Sequence, residues 1–314
     1  ACNARCTMCE IWKDEKISQF GNVMLEKLPK GLRNIKLSGG EPFLRDDLSE
    51  IVERIRVVCN KSRIVILTNG ILTGVITEQM KRIIKIDPKI AIRLSIDGVG
   101  QLHDEIRGIK NAYPNAMDTL SSLKKLGIRD IGVTITVTDI NIAEIGKVYK
   151  MSKEEEVKFN CQVVHSSDFN YRRKNGGILQ KDLFKKELNL MISSELKSFS
   201  LQRLFKTYYY KGLWSYVNHL PRPCPCNAGS LFFYLSREGN IYPCQFLDKE
   251  MGNLKNNSFS AIWKSKLAHK VRQDVKKYNL NCWMICTVRP EIKNNPFQAV
   301  NWIFINKLKS AFLN

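Results

Sequence analysis

The chain has 314 residues, of which 44% are hydrophobic and 9% aromatic, so it can bury a sizeable core and is not a disordered chain. This length suits one large domain or a large and a small one. No apolar run approaches the roughly 18 residues of a membrane span, and no signal-peptide pattern is visible. The net charge of +20 would suit nucleic acid, anionic lipid or a phosphorylated substrate. The basic residues are scattered, however, so we interpret the charge as a general property of the composition rather than as a binding surface.

Three of the ten cysteines lie at the start of the chain, with the spacing C-x3-C-x2-C over Cys2, Cys6 and Cys9. Thiolates select zinc, copper(I) or iron–sulfur clusters, and the next cysteine is Cys59. Three close thiolates without a fourth indicate a [4Fe–4S] cluster with one iron open to a small ligand. A zinc knuckle or free thiols are the alternatives. Clustered cysteines in a large chain favour metal binding in a reducing compartment, the cytoplasm, over disulfides.

Strands and helices alternate regularly after these cysteines. Five runs rich in β-branched residues predict strands at 34–38, 63–68, 90–96, 131–137 and 159–164. Helical spacing predicts helices between them, the first capped by Asp46 and Asp47 before Leu48, the others around 77–84, 116–126 and 143–152. This alternation implies parallel βαβ units. We predict an α/β fold, a partial (β/α)6 TIM-like barrel. Because the chain begins with Ala1, we expect its first strand to precede the given sequence.

Turn-forming motifs follow the predicted strands at the ends where parallel barrels place their chemistry. Gly39-Gly40-Glu41-Pro42 follows the first visible strand, and its glycines permit close backbone approach to a ligand. Ser95-Ile-Asp97-Gly98 ends the third, and His103-Asp104-x-x-Arg107-Gly108 comes next. Arg107 could equally lie on the surface. Thr68-Asn69-Gly70 also fits a plain strand-to-helix turn.

Together, C-x3-C-x-φ-C with apolar Met8 before the third cysteine, and GGEP after a strand, resemble the signature of radical S-adenosylmethionine (SAM) enzymes. The resemblance implies that SAM chelates the open iron of a [4Fe–4S] cluster held by Cys2, Cys6 and Cys9. It implies that the GGEP-like turn binds the SAM amino group, that the SIDG-like segment contacts the ribose, and that Arg107 lies near the carboxylate. The implied cofactor-binding residues are Met8, Gly39, Gly40, Glu41, Pro42, Ser95, Asp97 and Arg107.

Five more cysteines return near the end of the chain, at 224, 226, 244, 282 and 286. Residues 230–236 and 240–242 predict a hairpin around Gly239. Cys226-x12-Gly239-x4-Cys244 resembles the opening of the SPASM/Twitch extension of radical SAM enzymes, as do Gly252-Asn253-Leu254 and Ser260-Ala-Ile-Trp263. A full SPASM domain has more cysteines, so the shorter Twitch form, with one auxiliary [4Fe–4S] cluster, is implied. Its ligands would be Cys226, Cys244, Cys282 and Cys286, with Cys224 spare or a substitute. A zinc ribbon is the alternative.

The remaining segments have no such motif. We predict a radical SAM core over 1–173, a helical bridge over 174–222, the auxiliary domain over 223–290 and a helical tail over 291–314. Cys59 and Cys161 are expected in the core. We expect Tyr208, Tyr209 and Tyr210 to lie in the core or on the surface rather than to line a substrate channel. We expect the tail to dock on the barrel rather than on a membrane surface.

The resemblance implies an enzyme that reductively cleaves SAM to a 5′-deoxyadenosyl radical, which abstracts hydrogen from a peptide or small molecule. The expected outcome is a net oxidation or modification, with the auxiliary cluster accepting an electron. Flavodoxin or ferredoxin would supply the reducing electron. The alternative is a non-enzymatic iron–sulfur or zinc protein that binds nucleic acid, which we do not favour because it would need no SAM site.

Overall fold

A computed structural model describes residues 1–14, 23–167, 172–278 and 282–312 of the chain. Its centre is a five-stranded sheet of parallel strands in the order β1-β2-β3-β4-β5. These strands are β1 (Asn34–Leu37), β2 (Arg63–Thr68), β3 (Ala91–Ser95), β4 (Asp130–Val137) and β5 (Lys158–Val163). The pairing brings the carboxyl ends of neighbouring strands together, as with Ser95 opposite Thr134 and Val137 opposite Val163.

Helices connect the strands and cover one face of this sheet. The first six are α1 (Val23–Glu26), α2 (Leu48–Val58), α3 (Thr73–Ile86), α4 (Gln101–Arg107), α5 (Ala112–Lys125) and α6 (Glu144–Glu154). The predicted partial barrel of parallel βαβ units is therefore confirmed. Helices α3 and α5 begin four residues before the predicted bounds, and α6 ends two residues after them. Asp47 occupies the predicted N-cap position of α2, but its carboxylate pairs with Arg45 at 2.7 Å and makes no capping bond.

In the described part of the remaining chain, six helices and three short strands follow. These are α7 (Lys181–Leu196), α8 (Leu201–Val217), β6 (Tyr234–Leu235), β7 (Asn240–Tyr242), β8 (Gly252–Asn253), α9 (Phe259–Lys264), α10 (Lys266–Tyr278), α11 (Ile285–Asn294) and α12 (Phe297–Phe312). The predicted hairpin is present, and β8 extends it to a three-stranded antiparallel sheet. Gly239 makes its turn with φ of 92°.

Two hydrophobic cores hold the chain together. One joins β4 and β5 to α6, α7, α8 and Trp283, and contains Cys161 and the buried Tyr208, Tyr209 and Tyr210. The other joins β1, β2 and β3 to α2 and α3, and extends to Ile241 of β7. Core positions for Cys59, Cys161 and the tyrosines are thus confirmed. Residues 241–292 contribute to both cores, so this part of the chain packs directly on the barrel.

The tail helix α12 docks in a different place from the one expected. It packs on α8 and α7 rather than on the barrel, with Tyr208 edge-on to Trp302 and the Lys307 ammonium donating to the Ser198 carbonyl at 2.8 Å. Aromatic side chains of the helical bridge form part of the surface that α12 contacts. Among the described residues, no helix has the length and apolarity needed to span a membrane.

Candidate SAM and iron–sulfur sites

The first cysteine segment is an irregular loop held by backbone hydrogen bonds. The amide nitrogens of Arg5 and Thr7 donate to the carbonyls of Arg107 and Ile106 at 2.8 and 2.9 Å, so the loop follows the end of α4. The Glu41 amide donates to the Ala1 carbonyl at 3.1 Å and ties the loop to the GGEP-like turn. The sequence thus brings residues 1–9 and two distant turns together at the carboxyl end of the sheet.

Two glycines make this close approach possible. A side chain at Gly40 would overlap the Ala1 carbonyl oxygen, and one at Gly108 would stand 2.6 Å from the Arg5 carbonyl oxygen. Gly108 also has φ of 61°, in the left-handed region that favours glycine. Both positions therefore need glycine to let the cysteine loop lie against the barrel.

The three thiols of this loop are half-buried and lie within electrostatic reach of one another. Burial raises the pKa of Cys2, and it raises that of Cys9 to about 11, with the neighbouring thiolates adding to both shifts. The Arg107 guanidinium approaches the Cys6 sulfur at 3.5 Å. Such thiols become thiolates only beside strong positive charge, which the irons of a cluster supply. The donor set therefore fits a [4Fe–4S] cluster. Among the described residues, no three potential ligands converge on one metal ion.

The carboxylate of Glu41 is almost completely buried and joins β1 to β2. It accepts hydrogen bonds from the Thr68 hydroxyl at 2.8 Å and the Asn69 amide nitrogen at 2.7 Å. Burial raises the pKa of Glu41 to about 7, although these bonds oppose the rise. The Asn69 side chain then donates to Asn3 at 2.8 Å, beside Cys2. Thr68-Asn69-Gly70 is therefore more than a turn, because it connects Glu41 with the cysteine loop.

Arg107 lies in the interior, which removes the surface alternative. It forms an ion pair with Asp97 at 2.6 Å, and Asp97 is fully buried. The charge of Asp97 raises the pKa of Arg107 against the effect of burial. His103 accepts the Asp97 amide hydrogen through Nδ1 at 3.0 Å, and burial and the Arg107 charge lower the His103 pKa to about 3. The Asp97 carboxylate thus orients Arg107 toward Cys6.

The other expected cofactor residues lie around the same end of the sheet. Met8 is buried against Ile106 and Val164, and Pro42 begins a buried 3-10 turn. Gly39 has φ of 148° with free space around it, and Ser95 ends β3 half-exposed. All of the predicted N-terminal site residues therefore lie on two turns, the end of β3, the end of α4 and the cysteine loop.

Three of the C-terminal cysteines form a second group. The thiols of Cys226 and Cys244 share a small apolar cluster, and both raise the pKa of Cys282, which burial already lifts to about 12. The Phe246 amide lies 3.4 Å from the Cys244 sulfur as a donor. These sulfurs also need positive charge to ionise, so they suit an iron–sulfur cluster. The Cys286 side chain, the predicted fourth ligand, lies outside the described residues.

A buried ion pair organises this second group. Arg222 pairs with Glu291 at 2.7 Å, with 4% and 0% of the two side chains exposed. The Arg222 guanidinium also donates to the Cys282 carbonyl at 3.1 Å, and Glu291 accepts the Asn227 amide hydrogen at 2.9 Å. The Cys224 thiol donates to the Glu291 carboxylate at 3.6 Å. The pair therefore links the segments that carry Cys226 and Cys282.

His165 connects the end of β5 with the second cysteine group. Its ring lies between Tyr216, with centroids 4.3 Å apart, and Phe246, 5.1 Å apart. Nδ1 donates to the Val163 carbonyl at 2.7 Å, and Nε2 accepts the Trp283 amide hydrogen at 3.1 Å. Burial lowers the His165 pKa to about 4. Phe246 and Trp283 stand two and one residues from Cys244 and Cys282, so one ring braces both loops.

The sequence analysis did not single out His165, Arg222 or Glu291, and it gave Asn69 only as part of a turn. Each acts through a partner more than 60 residues away. Only the position of Asn69 and His165 just after a predicted strand could have suggested them.

Family models match both parts of this arrangement. Residues 1–151 match the Radical SAM superfamily, and residues 224–287 match SPASM, an iron–sulfur cluster-binding domain. The two matches together cover more than half of the chain. It therefore belongs to the radical SAM superfamily of enzymes and carries a SPASM-type domain. This family uses SAM with a [4Fe–4S] cluster, and the SPASM domain binds auxiliary iron–sulfur clusters.

Individual proteins match this chain at low sequence identity or over only part of its length. The pre-heme d1 synthase of Dinoroseobacter shibae is 38% identical over 122 residues, which are 38% of this chain and 28% of that protein. The antilisterial bacteriocin subtilosin biosynthesis protein AlbA of Bacillus subtilis is 25% identical over 292 residues, 87% of this chain and 59% of that protein. The chain thus spans 28% and 59% of the length of these two relatives.

A solved structure described as native anSMEcpe with bound AdoMet and Kp18Cys peptide shares the fold. It superposes with a TM-score of 0.65 over 96% of each chain, at 18% identity. The shared fold includes both the barrel and the C-terminal part, because nearly the whole chain is covered.

Proposed function

We propose that this chain reductively cleaves SAM and modifies a peptide or a small molecule. The observation that carries the proposal is the meeting of three half-buried thiols with Glu41 and Arg107 at one end of the sheet. A bound [4Fe–4S] cluster would supply the electron that breaks SAM into methionine and a 5′-deoxyadenosyl radical. Cys2, Cys6 and Cys9 would hold it.

The protein's own groups would bind and orient the cofactor. Backbone carbonyls of Gly39 and Gly40 and the Glu41 side chain would receive the SAM amino group, while Arg107 would face its carboxylate. Ser95 would contact the ribose, whereas the Asp97 carboxylate is already occupied by Arg107 and by the Thr136 amide. Met8 and Pro42 would pack beside the site. A sheltered barrel end would exclude water and oxygen from the reactive species.

The second group would hold an auxiliary cluster. Cys226, Cys244, Cys282 and Cys286 would be its four ligands, with Cys224 left out because it faces Glu291. With four protein ligands, this cluster would bind no substrate, and its role would be to accept an electron from the substrate. The division into a core over 1–173, a bridge over 174–222, an auxiliary domain over 223–290 and a tail over 291–314 is part of the same proposal.

The names of the relatives support two substrate classes. One is named for bacteriocin biosynthesis and one for pre-heme d1 synthesis, so a peptide and a small molecule are both proposed. Flavodoxin or ferredoxin would be the electron donor. The clustering of the cysteines in a large chain favours metal binding in the reducing cytoplasm.

Anaerobic reconstitution followed by an assay for 5′-deoxyadenosine with dithionite tests the proposal. The wild-type chain should form 5′-deoxyadenosine, and Cys6→Ala should abolish it while retaining the iron of the second site. Cys59→Ala is the matched control, because Cys59 is buried beside Pro29 and far from both groups. Retained cleavage in Cys6→Ala, or zinc in place of iron in the wild type, would refute the assignment.

A further inference from the structure

The inner face of the barrel sheet has a concentration of positive charge at the amino ends of its strands. Arg63 begins β2, Arg93 lies within β3, and Lys158 begins β5, and all three contact the carboxylate of Asp130 at the start of β4. The ion-pair distances are 2.7 Å from Arg63, 2.7 Å from Arg93 and 2.8 Å from Lys158. We call these three cations and Arg289 the basic cluster.

Arg289 brings a fourth positive charge from the C-terminal part of the chain. It lies on α11, close enough that its charge and that of Arg63 add to the lowering of the Arg93 pKa, whose main cause is burial. Among the described residues, Arg289 makes no hydrogen bond or ion pair. Among the described residues, one carboxylate therefore pairs with three cations and has Arg289 within electrostatic reach, so the net charge of this group is positive.

This excess is not explained by the joining of strands. The contacts of Asp130 tie β2, β3 and β5 to β4, and hydrogen bonds from Lys158 and the arginines lower the Asp130 pKa in spite of burial. One cation balances the charge of one carboxylate, so Asp130 leaves the other positive charges of this group unbalanced. Placing a third beside Asp130 and a fourth nearby costs Coulomb energy that a bound anion would recover.

The basic cluster faces the same space as the cofactor end of the sheet. Arg93 precedes Ser95 by two residues on one face of β3, so the two positions are roughly 7 Å apart along the strand. The inward side chains between the two ends, Thr134, Asn160 and Gln162, are polar and half-exposed. A molecule bound to the basic cluster, at the amino ends of the strands that form the floor of the barrel, would thus extend toward the SAM end.

We propose that the basic cluster binds an oxyanionic group of the substrate, a carboxylate or a phosphate, at the floor of the barrel. Arginine forks suit both groups, and the partly buried setting strengthens the attraction. The anchored group would hold the substrate with its far end below the SAM site. This inference rests on the proposed function, since it names the kind of substrate that the same barrel takes.

Calorimetric titration of the reconstituted chain with inorganic phosphate and, separately, with succinate tests the inference. Saturable binding of at least one ion is expected, and the ion that binds more tightly distinguishes a phosphate from a carboxylate substrate. Arg289→Gln should weaken that binding at least tenfold. It is the variant of choice, because Arg93→Gln also removes strand contacts. Lys150→Gln, an exposed lysine with 79% of its side chain accessible, is the matched control and should bind as the wild type does.

Absence of saturable binding for both ions would overturn the inference, as would equal affinities in Arg289→Gln and Lys150→Gln. Thermal unfolding of each variant without added anion shows whether it is folded. Because the titration contains no SAM or reductant, its result does not depend on whether the chain forms 5′-deoxyadenosine.

Discussion

The two cysteine groups of this chain are built in opposite ways. Cys2, Cys6 and Cys9 lie on one short loop, which backbone hydrogen bonds fasten to α4 and to the GGEP-like turn. The C-terminal group comes from three separate segments, which buried side chains such as Arg222 and Glu291 hold together. The ligands of the first group come from one short stretch of sequence. This loop needs only the space that Gly40 and Gly108 leave for it against the barrel. The second depends on tertiary contacts, so it should be the easier one to break without harming the other.

Removal of Arg222 should have the largest effect. Arg222→Met leaves the Glu291 carboxylate buried without its partner, which costs about 3–5 kcal/mol. We expect the auxiliary iron to be lost and the free energy of unfolding to fall by this amount. SAM cleavage at the first site should persist. Iron counting, urea unfolding and the 5′-deoxyadenosine assay measure the three results.

The double variant Arg222→Met/Glu291→Leu is its control. Replacing both charges by apolar groups removes the unpaired carboxylate, so most of the lost stability should return. Equal destabilisation in the single and the double variant would mean that the ion pair does not organise the C-terminal site.

A methyl group at Gly40 should have the opposite effect, because it should disturb the first cysteine group and leave the second intact. Gly40→Ala overlaps the Ala1 carbonyl oxygen, so the cysteine loop must move away from the barrel. Overpacking of this kind typically costs about 1–3 kcal/mol, and we expect SAM cleavage to be lost and the auxiliary iron to remain. Gly74→Ala, with open space around it, is the control. Undiminished cleavage in Gly40→Ala would contradict the arrangement described for the loop.

The same contrast explains how much could be predicted from the sequence. The barrel follows from regular alternation of strands and helices, and the first site follows from cysteine spacing and a Gly-Gly turn, because all of these are local patterns. Glu41 and Arg107 were named from their motifs. Asn69 reaches Glu41 from the next strand, and Arg222 meets Glu291 across 69 residues. Such pairs have no local pattern, so only the folded chain shows them.

A change at His165 should weaken the connection between the two regions by a smaller amount. His165→Phe keeps the stack between Tyr216 and Phe246 but leaves the buried Trp283 amide without its acceptor. The loss should be about 2 kcal/mol, within the usual cost of an unsatisfied buried group. We expect the C-terminal part to unfold before the barrel, giving two transitions in urea. Tyr216→Phe retains the stacked ring and removes only the 3.4 Å hydrogen bond from the Tyr216 hydroxyl to the Val164 carbonyl, so it should lose less stability than His165→Phe. A single transition at unchanged stability in His165→Phe would argue against this bracing role.

The smallest predicted effect is a loss of stability at acidic pH, and it concerns the barrel alone. His103 must be neutral at Nδ1 to accept the Asp97 amide hydrogen, and its pKa is lowered to about 3 in the folded chain. In the unfolded chain the pKa is about 6.5, so between these values the unfolded state binds more protons. The stability that neutral His103 provides is complete well above pH 6.5 and decreases as the pH falls toward 3. About 1 kcal/mol should be lost between pH 6.5 and 5.5 through this residue. Urea unfolding at both pH values, in wild type and in His103→Phe, isolates this contribution, because the acid sensitivity of the clusters and of His165 is common to both proteins. The variant should be less stable at each pH but should lose about 1 kcal/mol less on acidification, and equal losses would show that His103 takes up its proton without unfolding.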